Sequence, residues 1–391
     1  MTSLTLRRTS ALTLALALFL GACTTPYHPP QFLEPNPAFP GLVDLPAQNG
    51  GKPVDVLLVH GICTHTAAWA NDVVHTLSSA IQANLPSHQL DVRPRTPAGI
   101  EVVTSSLSTP AGPLRFDGLI WSPLTQELKK QLCYDQTEKS SLCTGSPPFT
   151  PTRARINARL KDYLIDDCVP DALIYQGVAR DAMQQRMREA VLRILDNGAS
   201  APAVPLVIVA ESMGSKYLFD TLLRMANEAP DSRAASVARQ TVDRMQYLVM
   251  AGNQIPMLSL ADQQIGSTAA ITTATRPAAT QPESDSLQQL LQMRRLRSAN
   301  STGAATRSSV AQAPLVLVAF TDPSDALSYT LQTARYAQEG ATVYNVLVSN
   351  APIWFGVLER PDTAHLNYLE NADVARLIAC GQPTSPRCAS R

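Results

Sequence analysis

The chain has 391 residues, 45 % of them hydrophobic, with equal numbers of acidic and basic side chains. That balance holds no basic stripe of the kind a nucleic-acid partner requires, so no nucleic acid is expected. The length suits one large α/β domain with insertions.

Arg7 and Arg8 precede a short apolar stretch that ends in Leu20-Gly21-Ala22-Cys23. A charged start, a brief apolar run and small residues before a cut make residues 1–22 a secretory signal, and the run is too short to span a bilayer. The four residues ending at Cys23 resemble the lipobox of bacterial lipoproteins. That resemblance implies that Cys23 is the lipidated first residue of the mature protein; the alternative is an ordinary signal peptide with an incidental cysteine. A lipidated Cys23 implies a cell-envelope location, with the membrane reached through the N-terminal anchor. In a Gram-negative cell, Thr24 after the cysteine, where Asp would retain the protein, implies the outer membrane. Loss of Arg7 and Arg8 with the signal leaves a net charge of about −2. Residues 23–49 are rich in Pro and lack periodicity, which predicts an extended tether before a domain over residues 50–391.

Residues 54–59 form an apolar, β-branched run ending in His60-Gly61, the pattern of a buried strand. Helical spacing follows over residues 68–85. Two β-rich runs, 100–107 and 114–121, flank Pro110-Ala111-Gly112-Pro113 and read as a hairpin. They belong to an insertion expected over about 95–170. A strand is predicted over 171–175 and a long helix over 182–195, closed by Asn197-Gly198. Further strands are predicted over 206–209, 245–250, 315–320 and 343–348, with helices over 217–225 and 371–379. Residues 262–312 read as a flexible stretch around the Ala/Thr/Pro tract 266–283. Within it, 286–297 reads as a helix, either a lid or membrane-touching element or an ordinary surface helix. Strands alternating with helices imply an α/β class: a mostly parallel central sheet with helices on both faces.

An exported location permits disulfides. Cys133 with Cys143, and Cys380 with Cys388, are close enough to staple local loops, each contributing about 2–3 kcal/mol. Cys63 and Cys168 remain, and sequence leaves the connectivity open. No Cys-x-x-Cys or His-x-x-x-His spacing argues for a metal, and no cofactor is expected.

The most informative segment is 205–216. An apolar run enters Ala210-Glu211-Ser212-Met213-Gly214 and a helical pattern leaves it. Small residues flanking a serine at a strand-to-helix turn let the two elements approach closely and expose the hydroxyl at the tip. Ala210 stands where Gly is commoner. The strand over 315–320 runs into Thr321-Asp322-Pro323-Ser324-Asp325, and His365 follows the last strand. A His-Gly loop, then Ser, acid and His is the chain order of the α/β-hydrolase family. The chain thus resembles an α/β-hydrolase of the serine esterase and lipase type over residues 54–381.

The resemblance implies Ser212 as nucleophile and His365 as its base. It implies an orienting acid just past the strand ending at Phe320: Asp325, with apolar Ala326-Leu327 behind it, or alternatively Asp322, which before a Pro also suits a turn cap. The backbone N–H groups of Met213 and Ile62 are the implied oxyanion donors. Glu211 either tunes the elbow or faces solvent. Trp69, Trp121 and Trp354 are candidates for an acyl pocket or for core packing. The expected substrate is a small-molecule or lipid ester. A hydrolase-fold lipoprotein that binds an envelope component without turnover is the rival reading.

Overall fold

Buried strands on both faces of a sheet read as continuous apolar runs, and the runs at 54–59, 206–211, 245–251 and 315–321 do so because helices cover them on each side. The structure, a computed structural model, describes residues 23–81, 91–93, 99–137, 142–145, 152–196, 204–263, 284–300 and 314–388. In chain order the strands are β1 (Cys23–Thr24), β2 (Gln31–Phe32), β3 (Phe39–Pro40), β4 (Val54–Val59), β5 (Asp91–Arg93), β6 (Glu101–Thr109) and β7 (Gly112–Ile120). They continue as β8 (Leu206–Glu211), β9 (Met245–Ala251), β10 (Leu315–Thr321), β11 (Ala341–Leu347), β12 (Ile353–Trp354) and β13 (Gly381–Gln382). The principal helices are α1 (Ala67–Ile81), α2 (Arg155–Arg159), α3 (Val169–Gln176), α4 (Arg180–Leu195), α5 (Met213–Ala226), α6 (Arg233–Arg244), α7 (Ser286–Asn300), α8 (Pro361–Leu366) and α9 (Ala372–Cys380).

Nine strands form the central sheet in the order β2-β11-β10-β9-β8-β4-β7-β6-β5. From β7 to β11 all neighbours are parallel, and antiparallel strands close both edges. This is an α/β fold, a mostly parallel central sheet with helices on both faces. Alternation along the strands divides the core. Leu57, Val59, Ile208 and Ala210 face Met187, Tyr217, Leu218 and Leu287 on one side. Val56, Leu58, Val207 and Val209 face Val73, Leu77, Val374 and Ile378 on the other.

Three expectations need correction. Residues 23–49 are not an extended tether: β2 adds to the sheet beside β11 and β3 pairs with β13. Leu42, Val43 and Leu45 are buried, and Glu34 accepts from the backbone and side-chain nitrogens of Asn345 at 2.6 and 2.9 Å. Prolines break the periodicity of this segment, so its apolar residues dock singly, without a sequence signature. Residues 171–175 lie in α3, not a strand; Pro170 in the first turn and Asp171 beside it are helix-start residues. Residues 101–120 are sheet strands, with β7 beside β4, so the insertion begins only after Ile120.

The hairpin of β6 and β7 forms with Thr109 opposite Gly112. Helix α7 buries Leu287, Leu290 and Leu291 against the domain, the packing of a surface helix. The tract 266–283 lies outside the described residues. Leu42→Ala is expected to lower the unfolding free energy by about 2–4 kcal/mol in urea melts, the cost of a buried cavity. A tether residue would leave it nearly unchanged.

Candidate active site

Sheet register assembles the site. Val59 pairs with Ala210, Glu211 with Ala251, Ala251 with Phe320, and Thr321 with Leu347. The carboxyl ends of β4, β8, β9 and β10 therefore finish level, and the residues just past them meet at one edge, the usual place for ligands in open parallel sheets.

Ser212 stands between β8 and α5 with φ +50° and ψ −129°. A non-glycine residue there is strained by about 1–3 kcal/mol, and its neighbours hold it in place. Its N–H donates to Ala251 O at 2.7 Å. The small residues have a steric cause: a Cβ on Gly214 would lie 2.3 Å from His60 O, and one on Gly61 would lie 2.5 Å from Ser212 Cβ. The helix start and the loop after β4 thus pack backbone to backbone. Met213 is the first residue of α5, where an amide has no acceptor within its own helix. Ile62 follows Gly61, which lies against Ser212.

Ser212 Oγ is 3.0 Å from His365 Nε2, and His365 Nδ1 is 2.8 Å from Asp325 Oδ2. The same carboxylate accepts from Tyr368 Oη at 2.9 Å, and its other oxygen accepts from Leu327 N at 2.9 Å. Burial raises the Asp325 pKa, but the His365 hydrogen bond and charge, with these two donors, bring it below the usual carboxylate value. Asp322 faces elsewhere. It accepts from the amides of Ser324 at 2.9 Å and Asn350 at 2.6 Å, and burial raises its pKa. The structure therefore brings Ser212, His365 and Asp325 into one chain and leaves Asp322 capping the turn.

His60 works on the loop, not on the serine. Trp121 N–H donates to its Nε2 at 2.9 Å, so Nδ1 carries the proton and donates to Gly61 O at 2.8 Å. Burial pushes its pKa well below the usual value, which keeps the ring neutral. Trp121 stacks on it with centroids 4.6 Å apart and donates Nε1 to His60 O at 2.9 Å. The loop is tied again by the Cys63–Cys168 disulfide and by Cys63 N–H donating to Asp171 at 2.8 Å. Asp171 pairs with fully buried Lys129 at 3.1 Å. Disulfides also join Cys133 to Cys143 and Cys380 to Cys388.

Sequence reasoning passes over Gln254, Tyr368 and the Asp171–Lys129 pair. Gln254 Nε2 lies 3.3 Å from His365 Nε2, and its place just past β9 is the one available signal for it. Trp121 is core-buried against His60. Trp69 Nε1 donates to Glu211 at 3.2 Å, and Trp354 is exposed. Ser212 and His365 are 2 % and 1 % exposed. Two cavities, about 320 and 190 Å³, share Ser259, Gln263 and Asp285 and include neither residue. Among the described residues no His/Cys/Asp/Glu group has metal-site geometry.

Glu211 does not face solvent. It is buried beside Ser212, and burial pushes its carboxyl up to about 8 from 4.5. Between those values the folded chain holds a proton that the unfolded chain has lost, so stability falls as pH rises through the window. Glu211→Gln is expected to remove that fall. Urea unfolding at about pH 5 and pH 8 should show wild type losing at least about 1 kcal/mol more than the variant.

No family model matches the chain, and no curated protein matches it. Among solved structures, the crystal structure of acetyl xylan esterase 1 from Thermoanaerobacterium sp. JW/SL YS485 is similar at 9 % identity, covering 74 % of this chain and 88 % of that one with a TM-score of 0.20. A likeness that slight carries no argument about this chain.

Proposed function

We propose that the chain is a serine hydrolase acting on carboxylic esters, held at the cell envelope by lipid on Cys23. The observation that carries the hydrolase reading is the Ser212–His365–Asp325 chain, with links of 3.0 and 2.8 Å, built on a serine at positive φ. In this reading Ser212 Oγ attacks the ester carbonyl carbon while His365 Nε2 takes its proton. Asp325 holds the imidazole through Nδ1–H and stabilises its positive form. The N–H groups of Met213 and Ile62 stabilise the oxyanion of the tetrahedral intermediate, each contributing about 3 kcal/mol. Collapse breaks the ester C–O bond, and His365 returns the proton to the leaving alcohol. Water, deprotonated by His365, then attacks the acyl-enzyme and frees Ser212. Neither metal nor organic cofactor enters these steps.

The rival reading is a hydrolase-fold lipoprotein that binds an envelope component without turnover. Fluorophosphonate labelling separates the two. The folded chain is expected to label and Ser212→Ala is not; a folded chain that stays unlabelled in detergent micelles supports the binding protein. Among variants, Asp325→Asn is expected to lower kcat by about 10³–10⁴-fold on a soluble ester, and Asp322→Asn by less than about tenfold. Equal losses would overturn the role given to Asp325.

A further inference from the structure

An apolar hairpin projects between the last sheet strand and the helix that carries His365. Trp354 N–H donates to Leu358 O at 2.8 Å and Leu358 N–H donates to Trp354 O at 3.2 Å, closing a turn with Phe355 at φ +52° and Gly356 at φ +67°. Trp354, Phe355, Val357 and Leu358 are 48 %, 63 %, 86 % and 48 % exposed. The helix α8 that follows meets a second exposed apolar face: Ile156, Leu160 and Tyr163, spaced as one side of a helical segment. Asp362, in the first turn of α8, links the two segments, with Arg159 at 3.3 Å and Arg360 at 2.6 Å. Two guanidiniums on one carboxylate give the rim a positive balance. Exposed large apolar side chains clustered on neighbouring segments mark an interaction site.

What the surface meets follows from β1. Cys23 pairs directly opposite Trp354, and Thr24 opposite Ile353. Antiparallel partners lie within about 5 Å at Cα, so lipid on Cys23 starts beside the hairpin. Residues 24–49 give no slack, because they are docked: Tyr27 N–H donates to Ser349 at 3.1 Å, and β2 and β3 are paired. With lipid on Cys23, the face that carries it would lie on the bilayer that holds the anchor.

We infer that residues 354–358 and the outer face of residues 156–163 are a membrane-docking surface, its aromatic and aliphatic tip entering the bilayer and its arginines meeting anionic headgroups. The inference takes its direction from the proposed lipidation of Cys23, and it turns the His365 end of the site toward the membrane. An ester carried in that bilayer is the substrate class such a placement serves.

The test uses the full chain reconstituted in phosphatidylethanolamine and phosphatidylglycerol vesicles with brominated acyl chains, which quench inserted tryptophan. Tryptophan fluorescence is expected to be quenched in the full chain and not in Trp354→Phe. Equal quenching in the two overturns the inference. A chain carrying Cys23→Ser tests the surface without an anchor: adding Phe355→Ser and Val357→Ser is expected to lower its vesicle partition at least about tenfold, the loss of two buried apolar side chains. Unchanged partition overturns the inference and leaves the hairpin to a protein partner. Fluorophosphonate labelling of the same samples reads the hydrolase proposal separately, since quenching without labelling would sink that proposal and leave the docking surface intact.

Discussion

The contact on which the site depends is between backbone atoms at the end of β4 and the start of α5. A methyl group on Gly214 would lie 2.3 Å from the carbonyl of His60, well inside any real contact, so hydrogen alone fits there. That approach sets the distance between the loop at Gly61 and the turn at Ser212. Met213 opens the helix directly after the serine, and Ile62 follows the glycine that packs against it. The positive φ of Ser212 is tolerated because β8, α5 and the Ala251 carbonyl leave the backbone no other path.

Around that contact the polar groups divide by neighbourhood. Asp325 receives an imidazole, a phenol and an amide, so its charge is stabilised despite burial. Glu211, one residue from the serine, receives the Trp69 indole but no cation, and burial leaves it protonated near neutrality. His60 is likewise held neutral, with both ring nitrogens engaged by backbone. Within a few residues, then, one acid is charged, another is not, and one histidine bonds the serine while another locks the loop.

The loop after β4 is secured from a distant part of the chain. The Cys63–Cys168 bridge and the Asp171 carboxylate both reach it from the segment around α3. The N-terminal residues are secured similarly, through β2 at the β11 edge, the β3–β13 pair and the side chains of Leu42 and Val43. A lipid-bearing Cys23 would thus be attached to the domain itself, not to a free strand.

The strands β4, β8, β9 and β10 are legible in the sequence because burial on both faces demands largely apolar runs, and β11 by its β-branched and aromatic residues; Ser212, Asp325 and His365 are legible because each follows a strand in order. Small residues at 210 and 214 announce a tight turn for the steric reason the structure displays. The docking of residues 23–49, the helix at 169–176 and the place of β7 beside β4 are not legible, since they rest on single side chains and on pairings between distant segments that leave no period. Nor does order along the chain distinguish Asp325 from Asp322 by contact: both follow the same strand, and only the fold decides that Tyr368 and His365 reach one while Asn350 and Ser324 take the other. By itself the sequence determined the sheet, the elbow and the candidate residues, because those follow from local burial and turn sterics. Tertiary structure alone decided which charges are stabilised, what ties the loop at Cys63, and that Cys23 lies beside Trp354, because each depends on residues far apart in the chain meeting in space.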